Sequence, residues 1–153
     1  MGLKELFASK QVYFDTNIFI YIIEGSPKYQ HIIDELIKSL VHKEFEIHTN
    51  YITLTEILPP LVKRGDQNII SGTLEFIRGK DLFKLSEADE EICVQAGVLR
   101  GETNMKTPDS IHVATAFQNK CDIFLTNDPY MCDGAVSHLP DWLVLVPVFK
   151  DGR

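Results

Sequence analysis

Five short segments are each of strand length, apolar at 12–14, 82–85, 121–125 and 143–146 and alternating at 45–49, and the stretches between them as far as 121 carry apolar residues at helical spacing. Val12-Tyr13-Phe14 is β-branched and aromatic throughout, which suits a strand buried on both faces. After Asp15-Thr16-Asn17, the residues Ile18 to Ile23 are apolar almost all round and Gly25 follows, so a short, deeply buried helix is expected. Ser26-Pro27 offers a cap and a first-turn proline for a helix over 27–43, where Ile32, Ile33, Leu36, Ile37, Leu40 and Val41 make the clearest amphipathic stripe in the chain. Asn50 caps a helix over 51–58, which Pro59-Pro60 should kink or interrupt before 61–63, with Gly65 as the stop.

Asp66 caps a further helix whose apolar face is Ile69, Ile70, Leu74, Phe76 and Ile77, ending near Arg78-Gly79. Ser86-Glu87-Ala88-Asp89 resembles a capping box with Asp in the place of Glu or Gln, and opens a helix with Ile92, Ala96 and Leu99 on one side and Gly101 at its close. Past a polar loop, Thr107 as cap, Pro108 at the first position and Asp109 in the first turn start a helix that buries Ser110, Val113, Ala114 and Phe117. Strands alternating with helices imply right-handed crossovers, hence an α/β fold: a three-layer α/β/α sandwich on a mostly parallel five-stranded sheet. With 153 residues and 44% hydrophobic content, residues 1–153 read as one domain.

Asp-Thr-Asn stands where a glycine-rich phosphate loop would follow the first strand, which disfavours a nucleotide cofactor. The net charge of −7 provides no global basic field for a polyanion. Cys93, Cys121 and Cys132 are widely spaced and form no CxxC pair, so they read as reduced core residues rather than a disulfide framework or a zinc site. No leader-like apolar core and no membrane-length run is present, and the chain reads as cytoplasmic with no membrane partner.

Carboxylates then change the picture. Two strands stop at Asp15 and Asp128, the helix bearing Asp109 leads into the second of them, and the helix bearing Glu56 leaves the end of another strand. All four acids can share one sheet edge, where α/β proteins do their chemistry. At about 5 Å and an effective dielectric of about 20, each pair would cost about 3 kcal/mol, and a divalent cation is the natural remedy. Carboxylate oxygens without a His or Cys cluster suit Mg²⁺ or Mn²⁺ rather than Zn²⁺.

Phe14-Asp15-Thr16-Asn17, then Thr55-Glu56, then Asp109-Ser110-Ile111-His112-Val113-Ala114-Thr115-Ala116, then Leu125-Thr126-Asn127-Asp128 resemble, in that order, the PIN-domain ribonucleases and especially the VapC-type toxins. The resemblance spans residues 12 to about 146. It implies that Asp15, Glu56, Asp109 and Asp128 hold one or two Mg²⁺ or Mn²⁺ ions, Asp15 and Asp109 directly, Glu56 and Asp128 directly or through water. Thr16, Asn17, Thr126 and Asn127 would orient Asp15 or the scissile phosphate. It implies metal-dependent cleavage of single-stranded RNA, a homodimer, and an antitoxin that silences the site.

Asp133 is the substitute acid should Asp128 point away. His112, one turn after Asp109, is expected to pack at the helix–sheet boundary with its hydrogen bond satisfied rather than to act as ligand or base. Lys63, Arg64, Arg78, Arg100 and Lys106 are candidate phosphate contacts, and Tyr51, Tyr130 and Trp142 candidate stacking platforms for bases. Two other readings stay open: a metal-dependent phosphohydrolase acting on small phosphate esters, and a binding module of the same fold that holds RNA or a protein without cleaving.

Overall fold

A computed structural model describes residues 5, 7, 8 and 10–128, together with the backbone of 144–147. The strands β1 (Gln11–Phe14), β2 (Glu46–Asn50), β3 (Lys84–Ser86), β4 (Ile123–Thr126) and β5 (Val144–Pro147) form one five-stranded sheet in the order β3-β2-β1-β4-β5. Every pairing is parallel, with Val12 in register with Ile47 on one side and Ile123 on the other.

Alternation along the strands divides the core into two layers. Val12 and Phe14 of β1, Ile47 of β2, and Ile123 and Leu125 of β4 pack against helices α1 (Thr16–Glu24), α2 (Gln30–His42) and α3 (Ile52–Arg64). On that side Phe83 meets Phe14, Phe19 and Phe76, the first at a tilt and the other two edge-on. Tyr13 and Phe124 point to the opposite face, stack on each other at 5.2 Å, and are covered by α5 (Glu90–Glu102) and α6 (Thr107–Gln118). The expected three-layer sandwich is therefore the fold, and β1 is apolar at consecutive positions because helices cover both its faces.

Helix α6 is buried from Ser110 to Ala116, wedged between the sheet and α5. It crosses behind three strands: His112 meets Tyr13 of β1, Thr115 accepts from Asn50 of β2, and Asn119, just past the helix, donates to Ser86 of β3. Small side chains at Ala114, Thr115 and Ala116 allow that close approach.

Several local expectations are corrected. Helix α2 begins at Gln30, not near Pro27, because Ser26 to Tyr29 close a turn through the Tyr29 N–H and the Ser26 carbonyl, 3.0 Å apart. In α1 only Thr16, Ile18 and Phe19 are buried; Ile20, Tyr21, Ile22 and Ile23 are half-buried. Pro59 and Pro60 do not interrupt α3, which runs unbroken to Arg64 before Gly65 turns left-handed at φ 72°. Both prolines are exposed, and so is Thr55, while Glu56 is half-buried, so the carbonyls deprived of helical partners are within reach of water.

Asp66 caps α4 (Gln67–Leu74) as expected, accepting from the Asn68 and Ile69 N–H groups, and the helix then widens into a π turn over Glu75–Gly79. Strand β3 sits two residues later than the apolar run that announced it, because Phe83 turns into the core beneath α1. The cap of α5 is Asp89 rather than Ser86: its carboxylate accepts from the Ile92 N–H, and the helix continues past Gly101 to Glu102. Lys106, not Thr107, occupies the cap position of α6, with Pro108 inside its first turn. Cys121 is buried, but Cys93 is exposed on α5 and is no core residue. Asp133, Tyr130, Trp142 and Cys132 lie outside the described residues.

Candidate active site

The strand order fixes where polar groups collect. From β1 the chain steps outward to β2 and β3, then returns to β4 on the other side of β1, so β1 and β4 are the neighbours at which the direction of winding reverses. A crevice opens outside the carboxyl ends of strands at such a point. Asp15 and Thr16 follow β1 there, and Thr126, Asn127 and Asp128 end β4.

Asp15 is 5% exposed and serves two structures at once. Its Oδ1 accepts from the Thr16 N–H at 2.8 Å, which caps α1, and its Oδ2 accepts from the Thr126 hydroxyl at 2.7 Å, which ties β1 to β4. The cap and the candidate ligand are thus one carboxylate. Asn17 strengthens the same seam: its amide donates to Thr126 Oγ1 at 3.2 Å while its carbonyl accepts from the Asn127 N–H. Asn127 in turn donates to the Tyr21 hydroxyl.

Glu56 reaches the crevice from the second turn of α3. The start of that helix is fixed by Asn50, whose Oδ1 accepts from the Ile52 N–H while its amide donates to Thr115 of α6. Glu56 Oε1 then accepts from two groups at 2.7 Å each, the Thr16 hydroxyl and His112 Nε2. His112 is fully buried, and its Nδ1 stands 2.7 Å from the Tyr13 hydroxyl.

The charges interact accordingly. Burial pushes the Asp15 carboxyl up, against the pull of His112 and Thr126. Burial also opposes ionisation of Glu56, but the hydrogen bonds and charge of His112, with help from Thr16, outweigh it and leave that carboxyl lowered. The His112 imidazole is raised, because hydrogen bonding to Glu56 and the fields of Asp15, Glu56 and Asp109 overcome its burial. Asp109 is the most perturbed acid with a defined value: burial first, then the charges of Asp15 and Asp128, push it up to about 6.

The charges of Asp15, Asp128 and Glu56 thus all reach Asp109, and that of Glu56 reaches Asp15. The four acids do not form a ready-made cage: among the described residues no three His, Cys, Asp or Glu side chains are gathered tightly enough to hold an ion. Donors of the protein itself engage Asp15 and Glu56, while at Asp109 burial and the repulsion of its neighbours outweigh the charge of His112. An all-oxygen donor set of mutually repelling acids fits a hard divalent cation in kind.

Of the candidate cations, Arg64 is paired with Glu24 at 2.6 Å, and Arg100 donates to the Met105 carbonyl, which steadies the loop before α6. Lys106 is exposed beside the first turn of α6, three residues before Asp109, and Lys63 and Arg78 are exposed as well. Tyr51, 41% exposed where β2 gives way to α3, lies at the same sheet edge. His112 packs against the sheet with its hydrogen bonds satisfied, as expected, rather than standing free as a ligand or base. What the sequence did not announce is its partnership with Tyr13; for His112 the one legible signal was its spacing three residues after Asp109, which puts both on one face of α6.

No curated protein matches this sequence. Solved structures do resemble the fold. A chain of VapBC2 from Rickettsia felis, bound to a DNA fragment from its promoter, matches at TM-score 0.64 and 18% identity, covering 89% of this chain and 97% of that one. FitAcB from Neisseria gonorrhoeae matches at TM-score 0.65 and 16% identity, covering 91% and 99%. A toxin–antitoxin complex from Klebsiella pneumoniae matches at TM-score 0.59 and 20% identity, covering 89% and 97%. By sequence, the profile of the PIN domain matches residues 12–136, from the first strand to beyond Asp128, and the chain belongs to the PIN domain family.

Proposed function

We propose that this protein is a divalent-metal-dependent endoribonuclease that cleaves single-stranded RNA, and that it is the toxin of a toxin–antitoxin pair. The observation that carries the reading is the convergence of Asp15, Asp128 and Glu56 on Asp109, whose carboxyl its burial first and then their charges push up to about 6. Strong perturbation by named like charges in a cleft is what sites of chemistry display.

Asp15 and Asp109 would bind Mg²⁺ or Mn²⁺ directly, with Glu56 and Asp128 binding directly or through water. The ion, when bound, polarises a phosphoryl oxygen and lowers the pKa of an attacking water. The chain's own groups prepare that chemistry. Thr126 and the Thr16 N–H fix the two oxygens of Asp15, and Asn17 and Asn127 bind the β1 and β4 ends into one rigid floor for the scissile phosphate. Lys106 is the exposed cation best set to meet a neighbouring phosphate, and Tyr51 is the aromatic available to a base.

An antitoxin partner is supported by the similar structures from Rickettsia felis and Klebsiella pneumoniae, which are a VapBC pair and a toxin–antitoxin complex. A homodimer in the cytoplasm completes the proposal; no described helix is long and apolar enough to cross a membrane. A phosphohydrolase with an aspartyl nucleophile is disfavoured, since the residue two after Asp15 is Asn17, whose amide is engaged in the strand seam.

The test is cleavage of mixed-sequence single-stranded RNA by the wild type and by Asp15→Asn, with Mn²⁺ or with EDTA. Cleavage with Mn²⁺ alone, lost in the variant, is expected; EDTA-insensitive cleavage, or equal activity in the variant, overturns the nuclease reading. For the toxin role, growth arrest on expression should be relieved by Asp109→Asn or by co-expression of a small neighbouring reading frame.

A further inference from the structure

Glu56 reaches the crevice on a long stem, and its side chain is 29% exposed, yet one of its oxygens is clamped. Both donors, Thr16 Oγ1 and His112 Nε2, go to Oε1 at 2.7 Å, and no hydrogen bond to Oε2 is found among the described residues. A carboxylate oxygen only accepts, so at this 2.7 Å contact Nε2 must carry a hydrogen.

The far side of the imidazole supplies the reason it does. Tyr13 is fully buried at the centre of the sheet. Its hydroxyl meets Nδ1 at 2.7 Å. When Nδ1 accepts from that hydroxyl, the single proton of a neutral imidazole is forced onto Nε2, and a protonated ring carries one there in any case. Both ring nitrogens are thus engaged in a pocket with no exposure, so His112 is itself unsuited to ligate an ion.

We propose that His112 is a positioning residue for Glu56: with its tautomer set by the Tyr13 hydroxyl, it pins Oε1 and so leaves Oε2 for a divalent cation. Tyr13 comes from the centre of the sheet, His112 from α6 and Glu56 from α3, so the relay joins all three layers at the crevice. Outer partners that orient a ligating carboxylate typically change metal affinity or activity by about 10–100-fold when removed. The inference rests on the metal-dependent reading above and adds the device that aims one of its acids.

The experiment measures Mn²⁺ affinity by titration calorimetry on the metal-free full-length protein, with RNA cleavage followed over a Mn²⁺ series. His112→Leu, shown folded by circular dichroism, should weaken Mn²⁺ binding about 10–100-fold and raise the Mn²⁺ needed for half-maximal cleavage in proportion, while kcat at saturating Mn²⁺ changes far less. His112→Gln places an amide donor near the Nε2 position and should recover most of the affinity. Tyr13→Phe removes only the hydroxyl and should weaken binding about 3-fold, and it carries the test should His112→Leu fail to fold.

A folded His112→Leu protein with wild-type Mn²⁺ affinity overturns the inference, as does a His112→Gln protein no better than His112→Leu. Wild type that binds Mn²⁺ and cleaves RNA beside an indifferent His112→Leu protein removes the relay and spares the nuclease reading. Wild type that neither binds Mn²⁺ nor cleaves ends both.

Discussion

Asp109 is the residue on which the crevice places its electrostatic strain. Its folded carboxyl titrates at about 6 against an ordinary 3.8, so between those values the folded protein holds a proton that the unfolded chain has released. Stability from this group is therefore complete below about pH 4, falls as pH rises toward 6, and stays lowered above it. Asp109→Asn should accordingly raise the melting temperature of the metal-free protein at pH 7.5 and leave it nearly unchanged at pH 4, as read by circular dichroism melts. A variant less stable than wild type at pH 7.5 would contradict the repulsion. Of the residues at this scale, Asp15, Asp128 and Asp109 could be singled out because they stand at strand ends or at a helix start, whereas Glu56 sits a turn inside a helix that leaves a strand end. The partnership of Tyr13 and His112 was not legible, because their meeting depends on α6 crossing behind β1, which no local pattern encodes.

At the scale of elements, α3 shows propensity yielding to surroundings. Two adjacent prolines remove the amide partners of the Thr55 and Glu56 carbonyls, a loss that usually costs about 3 kcal/mol or more inside a helix. The helix continues because Ile57 and Leu61 are anchored in the core on the opposite side, while the prolines face solvent. Replacing Pro59 and Pro60 together by alanine should stabilise the protein by about 1–3 kcal/mol in urea unfolding, even after the greater freedom of the unfolded alanine chain is counted. A destabilised double variant would show that the prolines shape α3 rather than burden it. Caps were read correctly where the acid lay next to the helix, as at Asp66, and misread where two polar residues competed, as at Ser86 and Asp89. Chain entry chose between them: Ser86 is still paired in β3, so the cap falls to Asp89.

At the scale of the whole molecule, a cation that binds only the folded crevice must stabilise everything attached to it. With Mn²⁺ at about 100 times its dissociation constant, linkage contributes about 2.7 kcal/mol, or about 5–10 °C in melting temperature for a chain of this length. EDTA should return the melt to its original position; an unchanged melt across a Mn²⁺ series speaks against a site in the crevice. The net charge of −7 makes a second prediction for the same molecule. RNA binding should depend only weakly on salt, with a log–log slope no steeper than about −2, since few phosphates meet a free cation. Layer number, strand direction and sheet membership were legible because apolar runs of strand length alternate with helical stripes. Strand ends, the unbroken α3 and the exposed Cys93 were not, since these are decided by what each segment packs against.

The β1–β4 seam has a consequence beyond chemistry. Asp15, Thr126, Asn17 and Asn127 are held by strand ends and by one another, while the exposed rim candidates Tyr51 and Lys106 stand at the mouths of separate helices. Under the proposed function, target choice and bond scission would be lodged in different parts of the chain. If the chain cuts RNA as proposed, exchanging rim residues between relatives should redirect which transcript is cut without retuning the acids, so that a lineage of such proteins would diversify its victims while keeping a single blade.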